Sequence, residues 1–343
     1  MVNSNLSVEE VAVYDRQIRL WGIDAQNRMR NSKNLIINLG GLSAEVVKNM
    51  VLAGVGSVTL VDSKKVEEAD LSANFFLEES DLNKNRAEAA CPRIQKLNSR
   101  VEINLETSVT DAKELTEEWL SQFNTVLATG LKYEELCHIN EITHKHKQSF
   151  FAADLNGLYG FVFADLVEHT FKIEREKPNI PTKIGPETKT RSIVSSVSKK
   201  DSGKHVEILT KLEKYRPLKE VVENAVSGSF GAQFKGRRLL KISPLLPIQL
   251  AYWTTPKEEL NFDSFKAHVT QKAADLGLPT GIIQDSVIQS FLSSVHAELS
   301  PVASVLGGVL AQDILNVLSL KEQPIQNFFI FNGDSNEGPI YTL

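Results

Sequence analysis

The chain has 343 residues, 42% of them hydrophobic, enough apolar material to fill one large α/β domain or two ordinary ones. Lys plus Arg number 38 against 43 Asp plus Glu, a formal charge of -5, which gives no bulk attraction to nucleic acid or to an anionic membrane. Cys91 and Cys137 are the only cysteines; two cannot make a four-thiolate zinc site, and with no charged-then-apolar leader the expectation is an intracellular, reducing location.

In chain order, YDRQIRLWG (14–22) comes first and sets Arg16 and Arg19 one helical turn apart, beside Trp21. From Lys33 the pattern alternates. NLIINL (34–39) reads as a buried strand, SAEVVKNMVLAG (43–54) as a helix with a glycine stop and SVTLVD (57–62) as the next strand. A helix at about 84–97, strand 101–106, helix near 111–121, strand 125–129, helix 133–146 and strand 149–154 continue it. Parallel strands need crossovers, so this alternation predicts a Rossmann-like, mostly parallel sheet with helices on both faces. GLYGFVFADL (157–166) follows an Asn156-Gly157 turn without a crossover, which predicts an antiparallel addition and hence a mixed sheet.

From 172 to 205 the composition turns to Lys, Glu, Ser, Thr and Pro, ending in SKKDSGKH. That reads as a loop or partly disordered insertion, around which SIVSSVS (192–198) and VEILTKL (206–212) could pair as strands. Helices are expected at 217–226, 244–253, 262–276 and 285–295. SPVASVLGGVLAQDILNVLSL (300–320) reads as a strongly apolar helix with Ser300 as cap and Pro301 in its first turn. No apolar run is expected to approach the roughly 20 residues of a membrane span. Strands at 327–333 and 339–343 close the chain. The division expected is an α/β part over 1–171, an inserted part over 172–299, flexible at about 172–205 and then helical, and a completing part over 300–343.

The first strand–helix turn, NLGGLSAE (38–45), contains Gly40 and Gly41, and Asp62 ends the next strand. In nucleotide folds three glycines permit the tight turn, the approach of phosphate and close helix packing, and an acid about 20 residues on takes ribose hydroxyls. Here Asn38 stands at the first glycine position, tolerable because Asn visits left-handed backbone, and Ser43 at the third, where a side chain meets the helix contact. From these residues alone, a nucleotide-type unit that keeps its topology without a ligand is the alternative to a nucleotide site.

Several segments together resemble the activating enzymes of ubiquitin-like modifiers, the ThiF and MoeB family. They are YDRQIRLWG, NLIINLGGLSAEVVKNMVLAGVGSVTLVD, DLSANFFLEESDLNKNRAEAA (70–90) and PVASVLGGVLAQD (301–313). Within that family the set is most similar to the small, non-thioester subunits of SUMO-activating heterodimers. The regulatory subunits serving the cullin modifier and the self-sufficient MoeB and ThiF homodimers are the alternatives, and a scaffold with no catalytic part is a third.

The family's nucleotide residues carry over only in part. Asp62 is kept, but the companion acid position is Lys64, the Asn and Arg positions of the linker fall on Ser72 and Ala73, the Lys position holds Arg86 and an Asp position falls on Gly130. The resemblance therefore implies a degenerate pseudo-site of Gly40, Gly41, Asp62 and Arg86 that holds no Mg-ATP, with ATP and Mg in a catalytic partner subunit. It implies that Arg16 reaches in trans to the partner's ATP, with Arg19 in support or in a plain salt bridge. SUMO, the SUMO-conjugating enzyme and a nuclear location with some cytoplasmic chain are implied too; nucleic acid, membrane and metal are not.

Other features are expected to be structural. Cys91 and Cys137 read as small buried hydrophobes that form no thioester, THKHKQ (143–148) as a solvated helix end, KGRRLLK (235–241) as a solvated basic face rather than a nuclear signal, and Phe75 and Phe76 as core. Gly307 and Gly308 each cost about 1 kcal/mol of helix propensity, which predicts a close approach on that helix.

Overall fold

The computed structural model describes residues 6–201 and 204–343. Three short helices open it, α1 (Val8–Val13), α2 (Asp15–Trp21) and α3 (Ile23–Arg30). Ser7 and Glu10 form a reciprocal capping box at the start of α1. Then come β1 (Lys33–Ile37), α4 (Gly41–Ala53) and β2 (Ser57–Val61). Gly54 ends α4 with a φ of 76°, left-handed backbone that glycine adopts without a side-chain clash.

The chain continues through α5 (Glu68–Leu71), α6 (Arg86–Leu97), β3 (Glu102–Glu106), α7 (Glu117–Leu120), β4 (Thr125–Thr129), α8 (Tyr133–Lys145), β5 (Ser149–Asn156) and β6 (Tyr159–Asp165). The helix expected near 111–121 is instead a 3-10 turn, Ala112–Glu114, followed by α7. Thr116 restarts the helix there by accepting from the Trp119 amide at 3.3 Å.

The segment expected to be a loop or partly disordered insertion is a second, antiparallel sheet, in which the stretches 192–198 and 206–212 pair as strands, as their pattern allowed. It holds β7 (Glu168–Glu176), β8 (Gly185–Pro186), β9 (Arg191–Asp201) and β10 (Lys204–Lys214) in the order β7-β10-β9-β8. Of SKKDSGKH, Ser202 and Gly203 lie outside the described residues. Its charged faces are joined by cross-strand ion pairs, Arg175 with Glu207 at 3.1 Å and Arg191 with Glu213 at 2.6 Å, the sheet counterpart of helical i,i+4 pairs.

Four helices follow, α9 (Leu218–Asn224), α10 (Leu245–Thr254), α11 (Phe262–Asp275) and α12 (Asp285–Ser293), then α13 (Ser300–Ser319), β11 (Phe328–Asn332) and β12 (Ile340–Tyr341). Ser300 is inside α13, and Leu299 is the N-cap, without a side-chain cap bond. Contrary to the expectation for apolar runs, α13 is long and apolar enough to cross a membrane by length and composition. It is instead a core helix, with Val302, Leu306, Leu310 and Ile314 buried in the same cluster as Val46, Val47 and Met50 of α4.

The main sheet has eight strands in the order β12-β11-β6-β5-β4-β1-β2-β3. The strands from β5 to β3 are parallel, with Leu35 facing both Thr59 and Val126, while β6 pairs antiparallel with β5, β11 with β6 and β12 with β11. Alternate residues divide between two cores, as the strand period of two requires. Leu35, Val126 and Phe150 join the cluster under α8, α10 and α11, whereas Ile36, Leu127 and Phe151 join that under α4, α6 and α13.

Candidate functional site

Strand β1 has β2 on one side and β4 on the other, so strand order reverses there. The carboxyl ends of these strands open a crevice, the usual ligand position in an open α/β sheet. One hollow of about 480 Å³ runs beneath Tyr133 and Trp253, and another of about 690 Å³ passes Gly40, Asp70, Arg86 and Glu298; they share Asn38, Lys64, Gly130 and His296.

The glycine turn is built as a phosphate cradle but already holds an anion. Asn38 takes the left-handed conformation, φ 65°, and its Nδ2 donates to the Thr129 carbonyl at 2.6 Å. Ser43 does not obstruct the turn, because its Oγ folds back to donate to the Asn38 carbonyl at 2.7 Å. The Gly41 and Leu42 amides, at the N-terminus of α4, donate to the Glu298 carboxylate at 2.6 and 3.0 Å. A helix N-terminus favours negative charge through its free amides and aligned dipoles, and here the chain's own glutamate supplies it.

Asp62 is equally engaged. Its carboxylate accepts from the Leu39 amide at 2.7 Å, the Lys64 amide at 3.0 Å and Arg86 Nε at 2.7 Å. Arg86 Nη1 also donates to Asp70 at 2.8 Å. Burial works against the Arg86 cation, but Asp62 and Asp70 outweigh it and hold its pKa above the ordinary value. Ala73 packs its backbone and Cβ against Gly41, so closely that a Cβ on Gly41 would lie 2.6 Å away.

These residues do not fit a magnesium-bound triphosphate. The two cradle amides are taken by Glu298, the one retained acid is saturated by Arg86 and backbone amides, and Lys64, Ser72, Ala73 and Gly130 offer no carboxylate to a cation.

The two arginines of the N-terminal segment lie elsewhere. Tyr14 is buried against Gly54, where a Cβ would come within 2.4 Å of the ring, and its hydroxyl accepts from Asn98 Nδ2 at 2.8 Å. Gln17 Nε2 donates to the Leu52 carbonyl at 3.4 Å, and Trp21 packs against the cluster beneath α4 and α13. The arm is thus seated on the domain. Arg16 is exposed and makes no hydrogen bond or ion pair among the described residues, whereas Arg19 pairs with Asp15 one turn back at 3.0 Å. The plain salt bridge is the reading that the geometry of Arg19 supports.

Four residues that organise these regions escape a reading of the sequence: Glu298, Asp70 and Asn74 in the crevice and Tyr14 in the arm. Asn74 is buried, donating to the Leu39 carbonyl at 2.9 Å. Glu298 is 257 positions from Gly41 and carries no local signal.

Other expectations resolve individually. Cys137 is buried, and burial pushes its thiol up to about 11; Cys91 is only half-buried, and burial raises it too. Neither is the lowered thiol of a nucleophile. Of THKHKQ, Lys145, His146 and Lys147 are exposed at the helix end as expected, but His144 turns inward, its Nδ1 2.8 Å from the buried Asp165 carboxylate, and that bond raises its pKa. Phe76 is core, but Phe75 is exposed and lies under the Lys48 ammonium at 5.1 Å. Lys235, Arg237, Arg238 and Lys241 are exposed on a 3-10 turn, and no cluster of metal-ligating side chains occurs among the described residues. Gly307 meets Glu45 of α4, where a Cβ would lie 2.5 Å away, while Gly308 faces open space beside Gln17, Trp21 and Leu52.

Fold and crevice together define a Rossmann-like α/β protein whose nucleotide position is filled from within. The chain belongs to the ThiF family, which it matches over residues 14–342. It is 36% identical to the DNA damage tolerance protein RHC31 of Saccharomyces cerevisiae, over 98% of this chain and 97% of that one. It is 34% identical to SUMO-activating enzyme subunit 1 of Xenopus laevis, with the same shares covered. The crystal structure of PaaA is similar in fold, at a TM-score of 0.57 and 15% identity, over 100% of this chain and 86% of that one.

Proposed function

We propose that this chain is the small, non-thioester subunit of a SUMO-activating heterodimer. The observation that carries this is its full-length similarity to SUMO-activating enzyme subunit 1, 34% identical in Xenopus laevis and 33% in Homo sapiens over 98% of the chain. The catalytic partner subunit holds ATP and Mg, adenylates the C-terminus of SUMO and receives it on its own cysteine, from which the SUMO-conjugating enzyme takes it. The complex works in the nucleus, with some in the cytoplasm.

Arg16 is this chain's contribution to the chemistry. It is a permanent cation with a planar set of donors, it sits on a seated arm, and it has no partner among the described residues. Reaching across the dimer, it stabilises charge on the partner's triphosphate as pyrophosphate departs. Arg19, held by Asp15, keeps the arm helical.

Reconstitution with the partner, SUMO and ATP tests this reading. A SUMO thioester is expected on the partner only, and Arg16→Ala should slow adenylation. A thioester on this chain, or ATP–pyrophosphate exchange by this chain alone, would overturn it.

A further inference from the structure

We propose that Glu298 is a built-in substitute for phosphate, the residue that keeps polyphosphates out of this chain's crevice and so leaves one of two related sites in the pair to take nucleotide. This deepens the reading above and rests on it for its consequence, although the exclusion itself is a property of the single chain.

Three observations converge on Glu298. Its two carboxylate oxygens accept from successive amides at the start of a 13-residue helix, at 2.6 and 3.0 Å, the arrangement by which such a terminus holds an anion. Gly40 is the residue that makes room, since a Cβ there would lie 2.7 Å from Glu298 Oε2. The segment bearing the glutamate is also pinned to the end of the sheet. The Gly157 amide donates to the Ala297 carbonyl at 2.8 Å, the His296 amide to Asn156 Oδ1 at 2.9 Å and Ser294 Oγ to the Asn156 carbonyl at 3.1 Å. The carboxylate is delivered by a fixed strap rather than by a free side chain.

What surrounds the plug would still attract an anion. Lys64 and Lys65 line the same hollow, are exposed and form no ion pair among the described residues. Asp70, Asp154 and Glu67 line it as well, but Asp70 is held by Arg86. Removing Glu298 would free two aligned amides and shift the local charge by one unit toward positive. A glutamine there would remove the charge and keep one acceptor oxygen for one of the two amides, since its own NH2 group cannot accept from the other.

The experiment is calorimetric titration of inorganic pyrophosphate into the full chain without its partner, for wild type, Glu298→Ala and Glu298→Gln, each checked for folding by thermal melting. The wild type should bind weakly, with Glu298→Ala at least about tenfold tighter and Glu298→Gln between the two. Should the alanine variant not fold, a severalfold gain in the glutamine variant carries the proposal. Equal affinity in wild type and variants, or no gain in either folded variant, overturns it. Because no partner or SUMO is present, either result stands apart from the outcome of the reconstitution.

Discussion

The crevice and the N-terminal arm are both polar, and they are opposites. At the glycine turn of the crevice the charged groups are matched from within, Glu298 on two amides, Asp62 on Arg86, and Arg86 on a second carboxylate, while Lys64 and Lys65 line the same hollow without an ion pair among the described residues. On the arm, the anchoring residues Tyr14, Gln17 and Trp21 are engaged with the domain, yet Arg16 projects with no counterpart among the described residues. A buried polar network that is fully satisfied has little left to offer a ligand, whereas a seated but unmatched cation can still be used by something outside the chain.

The contrast breaks most severely if the interior match is spoiled. Arg86→Ala would leave Asp62, essentially inaccessible to solvent, beside a second carboxylate with no cation. A loss of about 3–5 kcal/mol of stability is expected, as for other broken buried pairs, measurable by chemical denaturation. Arg16→Ala should do the reverse. Stability should change by less than about 0.5 kcal/mol, while adenylation by the reconstituted pair falls by about 10²-fold or more, as when one preorganised donor is removed.

Asp313 tests whether the interior is matched everywhere. Its Oδ1 accepts from the Ile325 amide at 2.9 Å, but Oδ2 has no partner, and burial pushes the carboxyl up to about 7. A carboxyl whose pKa is raised on folding adds stability that is present at low pH and is lost as pH rises toward that folded value. Melts should therefore weaken by on the order of 2 kcal/mol between pH 5 and 7, and Asp313→Asn should flatten that slope.

The two glycines of α13 offer a finer comparison. Gly307→Ala drives a methyl into Glu45 and should cost roughly 1–3 kcal/mol. Gly308→Ala meets nothing within the chain and should stabilise it by up to about 1 kcal/mol. If the partner covers this face, the same methyl weakens the complex, which a Kd measurement reads separately.

Much of this organisation was legible in the sequence, and the rest was not, for identifiable reasons. The hydrophobic runs at 34–39, 57–62 and 125–129 correctly mark the strands that form the crevice, because strands covered on both faces are apolar throughout. The second sheet was legible in part: SIVSSVS (192–198) and VEILTKL (206–212) mark strands that do pair, as β9 and β10, whereas the rest of it was hidden by the loop-like Lys, Glu and Ser content of its exposed faces and by cross-strand ion pairs that no single segment displays. That Lys64, Ser72, Ala73 and Gly130 bring no carboxylate to the crevice could be read position by position. That Glu298 occupies the glycine turn could not, since it approaches the turn only after the chain has folded.

The contact between Tyr14 and Gly54 reaches further than packing. It clamps the base of the arm to the left-handed stop of α4, so the reach of Arg16 is measured from the rigid middle of the domain rather than from a swinging terminus. A side chain at Gly54 would shift that origin, and, on the role proposed for Arg16, a residue distant from any phosphate is expected to register as slower adenylation by the reconstituted pair.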